Sequence, residues 1–440
     1  MTSNLRINTE KFRAINKADI IIEGITLVAG ENGCGKSTIS KLLYFLYKTV
    51  SNYETLVKQK LNTSLADVFT FLEIMQQEIV NTQKDRGIRD EIRREIVDLR
   101  RRFFSNEILL EDEVKYWIEL IEKIEYLYIK YSNNLFTENS NTNTRINRLN
   151  RIIKDILDED FQGEVYDSFS RIKELINNKF KEAIGKINSR PTSLFIEELE
   201  NVFSDSKLPK KFEVFEYDDL IVSLERNNLS IPFIIQNAIY IDTPMMISVD
   251  DSHNQHWTDL NDLLLDSDYK HKNQFTDIIS SQIINGDVDF EEGIFLADDF
   301  KFKRNDGAIF NLLDVATGIK SFSILQLLLK NGKLTDKTLL IIDEPESNLH
   351  PQWIIEYARI IVLLNKYLGV KFFLASHDPD FVSAIRYISE KENILEGVNF
   401  YIAKKHENDF LYNYDFLSKE IDPIFGSFNI AIDRINRYGI

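Results

Sequence analysis

The sequence predicts an α/β fold, a central sheet flanked by helices and interrupted by a mostly α-helical insertion, on three observations. GENGCGKST at 30–38 and LLIIDEPESNLHP at 339–351 both carry phosphate chemistry next to buried-strand patterns, and residues 49–230 between them show helical periodicity with almost no strand signal. The first strand is the apolar run Ile25, Thr26, Leu27, Val28 and Ala29. The loop after it fits G-x-x-x-x-G-K-[ST] at Gly30, Gly35, Lys36 and Ser37, and a helix is expected over 39–47. Strand, glycine loop and helix in that order let backbone N–H groups and a helix N-terminus converge on phosphates. Gly30, Asn32, Gly33, Gly35, Lys36, Ser37 and Thr38 are therefore the candidate nucleotide-binding residues.

The second segment ends four apolar residues, 339–342, in Asp343 and Glu344, which places two carboxylates at the edge of a buried strand. Asp343 with the Ser37 hydroxyl is expected to hold Mg2+, and Glu344 to polarise an attacking water as general base. A third apolar run, 371–375, ends in Ser376 and His377, and a polar strand end there reaches a γ-phosphate. The chemistry implied is hydrolysis of ATP, with Lys36, Glu344 and His377 as the catalytic set and ATP and Mg2+ as cofactors.

Composition agrees with a soluble globular protein. The 440 residues suffice for two or three domains, and 43% hydrophobic with 28% charged residues is globular usage. The start lacks a basic, apolar leader and no eighteen apolar residues run together, so a cytoplasmic location without membrane spans is expected. The single cysteine, Cys34, excludes a disulfide framework and reads as a small filler of the loop, with a redox switch on nucleotide binding as the alternative. A net charge of −17 argues against a surface that coats nucleic acid indiscriminately. One local exception lies at 86–102. Read as a helix, it places Ile88, Ile92, Ile96, Leu99 and Phe103 on one stripe and gathers Arg89, Arg93, Arg94, Arg100 and Arg101 away from it. That edge is either a phosphate-binding face or a solvated one.

The organisation reads as a split head, residues 1–48 and 231–440, with a helical insertion over 49–230. Within the insertion Val114, Trp117, Leu120 and Ile121, and then Ile146, Leu149, Ile153 and Ile156, repeat at helical spacing, with a polar turn at 132–144. Sustained heptads are absent, so a compact antiparallel bundle is expected rather than a long coiled coil. The head resumes with a strand over 237–241 ending in Asp242, followed by an acidic, loop-rich stretch over 245–295. His253 and His256 have an H-x-x-H spacing there, without a cysteine or a helix signal to fix them. Residues 300–304 and 308–312 read as a hairpin turning at Asn305, Asp306 and Gly307.

Thr317 and Gly318 open a helix in VATGIKSFSIL, where ABC-type ATPases carry their Leu-Ser-Gly-Gly-Gln signature, and the chain resembles that family with Ile319 and Lys320 departing from the pattern. DEPESNLHP is similar to the version found in overcoming-lysogenization-defect (OLD), RecF-like and anti-phage defence ATPases. The C-terminal tail resembles the ATPase subunit of Septu-type defence systems, including retron-linked ones. This resemblance implies an ABC-type P-loop head, a homo-oligomer with ATP sandwiched between heads so that Thr317 and Gly318 bind the γ-phosphate of a nucleotide held mainly by another subunit, and a partner nuclease of the His-Asn-His class. In OLD-type proteins a Toprim nuclease domain follows the head. Here Leu395, Glu396 and Gly397 mimic its opening but no Asp-x-Asp pair follows, so no intrinsic nuclease is expected. The alternative function is a DNA-repair or chromosome-maintenance ATPase of the RecF or SMC style that clamps DNA.

Overall fold

Strands with apolar faces need partners on both edges, and the head segments supply them to one another in a single ten-stranded sheet. The computed structural model describes residues 5–79, 86–104, 109–135, 151, 153, 156, 165–203, 207–247, 255–266, 273–291, 299–406, 410–426 and 436–438. It divides into two units, Met1–Ser51 with Pro191–Ile440, and Asn52–Arg190.

The first unit begins with β1 (Leu5–Phe12), β2 (Ile15–Ile22), β3 (Ile25–Ala29) and α1 (Lys36–Ser51). The second is helical: α2 (Tyr53–Ser64), α3 (Ala66–Ile79), α4 (Arg86–Phe104), α5 (Leu110–Leu135) and α6 (Val165–Ser189). The first unit resumes with α7 (Thr192–Val202), β4 (Lys211–Glu216), β5 (Asp219–Ser223), β6 (Asn237–Ile241), α8 (Gln255–Leu265) and the short α9 (Gln274–Ile278). A small sheet, β7 (Gly286–Glu291), β8 (Asp299–Arg304) and β9 (Ile309–Asn311), precedes α10 (Thr317–Lys330). Then follow β10 (Thr338–Asp343), α11 (Pro351–Leu368), β11 (Lys371–Ser376), α12 (Pro379–Lys391), β12 (Val398–Lys405) and β13 (Tyr412–Ser418).

The large sheet runs β5-β4-β1-β2-β13-β12-β3-β11-β10-β6. Its half from β12 to β6 is parallel throughout. This is why β3, β10 and β11 read as continuous apolar runs: helices cover both faces, and every residue of β3 and β10 is buried. Register sets the site. Ala29 of β3 pairs with Ser376 of β11, and Ala375 pairs with Asp343 of β10, so the three strands end level with one another.

The head resumes at Pro191, forty residues before the expected 231, and the insertion opens at Asn52 because α1 continues to Ser51. The physical cause is β4, whose alternating Phe212, Val214 and Glu216 face inward while the strand pairs antiparallel with β1. Buried Glu216 accepts hydrogen bonds from the backbone N–H groups of Phe233 and Ile234 and from the Tyr47 hydroxyl, which ties β4 to α1 and to the lead-in to β6.

In the helical unit, Trp117 of α5 is fully buried against Phe69 of α3, with ring centroids 4.5 Å apart, and against Phe180 of α6. The α4 stripe packs inward as expected at Ile92, Ile96 and Leu99; the side chains of Ile88 and Phe103 lie outside the described residues. Ile153 and Ile156 are buried, whereas Ile146 and Leu149 lie outside the described residues. Of the turn expected at 132–144, residues 132–135 belong to α5 instead, and the remainder lies outside the described residues. At 26 residues α5 is the longest helix described, about 39 Å, far short of a coiled-coil arm.

The expected hairpin is β8–β9, with Gly307 at φ 93° in its turn. Gln326 of α10 fixes the small sheet: its carbonyl accepts from the Val288 N–H and its amide donates to the Ser280 hydroxyl. Among the described residues no helix is long and apolar enough to cross a membrane.

Candidate functional site

The loop between β3 and α1 is shaped by glycines at positive φ, Gly33 at 82° and Gly35 at 98°. A side chain at Gly30 would lie 2.8 Å from both Ala403 Cβ and Cys34 Sγ, so the loop rests directly on β12. Tyr414 of β13 supports it from the same side, donating its hydroxyl to the Cys34 carbonyl at 2.9 Å. Lys36 opens α1 as a buried residue, and its ammonium donates to the carbonyls of Gly30 at 2.7 Å and Glu31 at 3.1 Å. The ammonium is thus curled over its own loop, where the first-turn N–H groups of α1 also point. Asn32, Gly33 and Ser37 are exposed and Thr38 is half-buried. Cys34 is fully buried, and burial pushes its thiol up, against the pull of Lys36. Its Sγ sits against Gly30 and 3.9 Å from the Lys36 ammonium, filling the inside of the loop.

Asp343 ends β10 as a buried carboxylate. One oxygen accepts from the Ser40 hydroxyl of α1 and the other from the Tyr240 hydroxyl of β6 at 2.8 Å, while Ser37 hydrogen-bonds it as well. Burial pushes Asp343 above the usual carboxylate range and these hydrogen bonds oppose the shift. Sequence reasoning missed Ser40 and Tyr240. Ser40 lies one turn beyond Lys36 on the same helix face, a visible spacing; Tyr240 is placed by the pairing of β6 with β10, which leaves no local signal.

Glu344 follows in the left-handed region, at φ 47°, with its N–H donating to the Ala375 carbonyl at 2.8 Å. This sharp turn is costly for a residue with a Cβ and carries the carboxylate out of the sheet plane. Its oxygens meet the Ser347 hydroxyl at 3.1 Å and Nδ1 of His377 at 3.6 Å. The structure therefore brings Glu344 and His377 together. It adds a residue quoted above only as part of a family motif, Glu346. Its Oε1 accepts from the Ser376 hydroxyl at 2.9 Å and the His377 N–H at 3.0 Å, and lies 3.4 Å from His377 Nδ1. Burial raises the Glu346 carboxyl, opposed by those hydrogen bonds. The rest of DEPESNLHP has a local cause: His350 caps α11 by accepting from the Gln352 N–H, and Pro351 sits at its first position.

Thr317 and Gly318 open α10 as expected, but their contacts are with Met245, Trp353 and Leu349, none of which belongs to the P-loop. Asp242, at the end of β6, is held by Nε2 of His256 and Nε1 of Trp257, each at 2.8 Å. His256 lies on α8, a helix the sequence did not signal, and His253 lies outside the described residues. No cluster of three His, Cys, Asp or Glu that could hold a metal occurs among the described residues.

The site suits a Mg2+–nucleotide ligand. Positive-φ glycines and a helix N-terminus form an anion cradle, and Ser37 with Asp343 offers the hard oxygen donors that Mg2+ prefers. The profile of the family described as AAA domain, putative AbiEii toxin, Type IV TA system matches residues 25–383. Among curated proteins none matches. Similar solved structures include an Smc head domain with an extended coiled coil bound to the C-terminal domain of ScpA, from Pyrococcus furiosus, at 9% identity over 99% of each chain and a TM-score of 0.35. An SmcHead bound to the C-winged helix domain of ScpA is 10% identical over 96% of this chain and 98% of that one, with a TM-score of 0.39. The SMC head domain from Thermotoga maritima is 10% identical over 95% and 99%, with a TM-score of 0.34.

Proposed function

We infer the function of this chain from one premise: it belongs to the family described as AAA domain, putative AbiEii toxin, Type IV TA system. It is a P-loop ATPase domain, and the reading favoured for its role is an ATP-hydrolysing regulatory subunit that controls a partner nuclease in anti-phage defence. The observation that carries the ATPase chemistry is the level ending of β3, β11 and β10, joined by the hydrogen bond from Ser40 of α1 to Asp343.

In this reading Lys36 leaves its loop carbonyls to offset β- and γ-phosphate charge, Glu344 orients the attacking water, and His377 contacts the γ-phosphate. Mg2+ held by Ser37 and Asp343 would supply further charge compensation. The defence role rests on the similarity of DEPESNLHP to OLD, RecF-like and anti-phage defence ATPases, and the His-Asn-His partner on the similarity of the C-terminal tail to Septu-type subunits. The short helices of the second unit support it over a long-armed chromosome clamp.

Lys36→Ala is expected to lose ATP binding, whereas Glu344→Gln retains binding and loses turnover by about 10²- to 10⁴-fold, the usual worth of a general base. Nucleotide titration and phosphate release measure the two separately. Equal ATP affinity of Lys36→Ala and the parent, or full turnover by Glu344→Gln, would overturn the assignment. The purified chain is expected to leave plasmid DNA intact with Mg2+ or Mn2+; metal-dependent cutting abolished by a point change in this chain would defeat the regulatory reading.

A further inference from the structure

Seven of the chain's 20 arginines fall in the 19 residues of α4, and none of its 33 lysines does. A helix that only needed solubility would draw on the commoner lysine. Arginine without lysine marks a face selected for the planar, five-donor guanidinium, which pairs with phosphate through two parallel hydrogen bonds. Three of the helix's four acids lie to one side of the arginines; the fourth, exposed Asp90, falls on the arginine edge, where its carbonyl accepts from Arg94 Nε at 3.0 Å. Glu91 and Glu95 both accept from Lys123 of α5 at 2.7 Å, and Glu95 and Asp98 line a groove shared with α5. These three acids are thus drawn towards α5, while Arg93, Arg94 and Arg101 are exposed. Arg93, Val97 and Arg101 follow at four-residue steps, a line about 12 Å long at 1.5 Å per residue.

We propose that the arginine edge of α4 binds the sugar–phosphate backbone of nucleic acid without regard to sequence. Arg93 and Arg101 at the ends of that line, with Arg94 beside it, reach separate phosphates of a duplex, which carries one charge per about 1.7 Å of axis. A membrane surface fits less well, because the apolar stripe of α4, Ile92, Ile96 and Leu99, is already buried within the unit. In a chain of net charge −17 the contact is confined to this edge, so binding is weak elsewhere and strongly salt-dependent here.

The test is fluorescence anisotropy of the full chain with a labelled DNA duplex across a salt series, comparing the parent with the triple variant R93Q/R94Q/R101Q. The parent is expected to bind at low salt, and the triple variant to lose about two to three units of the log–log salt slope. A second triple, R93K/R94K/R101K, keeps the charge and is expected to hold most of the slope with weaker affinity. Melting temperature and DNA-free ATP turnover should match the parent in both. No binding by the parent at low salt, an unchanged slope in the glutamine variant, or displacement of DNA by an acidic polypeptide at equal charge would overturn the proposal.

A separate observation concerns Glu346, and the geometry points to it as the positioning residue for His377; this rests on His377 acting at the γ-phosphate. One buried oxygen accepts from two consecutive residues at the end of β11, Ser376 and His377, and faces Nδ1 of the same histidine. The other oxygen, Oε2, is buried without a hydrogen-bond partner among the described residues. A carboxylate kept under such conditions works against folding, and what it holds in place here is the His377 backbone and the Nδ1 side of its ring. With Nδ1 turned to Glu344 and Glu346, Nε2 is the nitrogen left for the nucleotide.

A double-mutant cycle tests this. Glu346→Ala is expected to lower kcat by about as much as His377→Ala with little change in ATP affinity, and the double variant to fall no further, because both remove one function. Glu346→Gln keeps an acceptor for the Ser376 and His377 hydrogen bonds and is expected to recover part of the loss. Parent-like kcat in Glu346→Ala, or losses that multiply in the double variant, would overturn the positioning role. Parent-like kcat in His377→Ala would instead remove the catalytic reading on which it rests.

Discussion

Residue 318 has no room for a side chain. A Cβ there would lie 2.8 Å from Cε3 of Trp353 and 3.2 Å from Cδ2 of Leu349, and the Trp353 ring is itself held edge-on to Phe322 at 5.7 Å. The glycine is required by packing between α10 and α11, whatever approaches Thr317 from outside. Gly318→Ala is therefore expected to destabilise the head by about 1–3 kcal/mol, the cost of overpacking, with monomer ATP affinity unchanged. Thermal melting beside nucleotide titration measures both; a parent-like melting temperature would show that Trp353 yields freely. Thr317→Ala, at a half-buried position, is then the cleaner probe of any second chain. At this scale the sequence was legible in position: the loop pattern located Lys36 and Ser37 at the start of a helix, and the apolar run located Asp343 at a strand end with Glu344 just after it. Ser40, Tyr240 and Glu346 were not, because their roles arise from contacts with Asp343, 303 and 103 residues away, and with Ser376, 30 residues away.

At the scale of elements, legibility followed burial pattern. β3, β10 and β11 are buried on both faces, so their sequences are unbroken apolar runs and their ends could be located. β4 is half-buried and short, and its alternation of Phe212, Val214 and Glu216 with Lys211, Glu213 and Phe215 was lost beside long helical stretches. α8 was hidden by its acidic surroundings, although Leu260 and Leu264 mark a buried face at four-residue spacing. The placement of the C-terminal hairpin is of another kind. β12 and β13, the last two strands among the described residues, insert between β3 and β2, which follow each other in sequence. No local pattern announces such a crossing. Its consequence is chemical: Ala403 of β12 meets Gly30 and Tyr414 of β13 holds the Cys34 carbonyl, so the last strands of the fold back its first loop.

For the whole molecule, one P-loop and one signature-like segment raise the question of which nucleotide the latter serves. Thr317 Oγ1 faces Met245 Sδ and buried Gly318 lies under Trp353 and Leu349 of its own head, which leaves exposed Ala316 and half-buried Thr317 at the start of the helix. An isologous pair, each chain offering Thr317 to the nucleotide on Lys36 of the other, uses both copies of both segments and closes on itself. Two chains of net charge −17 also repel one another, so such a pairing would meet a barrier that salt lowers. Glu344→Gln with ATP and Mg2+ is accordingly expected to sediment as a dimer or a higher even-numbered assembly at micromolar concentration, and the same protein with ADP as a smaller species. Raising ionic strength moderately should strengthen this assembly while weakening the DNA contact of α4, so the two associations part in opposite directions along one salt series. A strictly monomeric Glu344→Gln protein with ATP at every salt concentration would mean that Thr317 and Gly318 do no more than begin a helix.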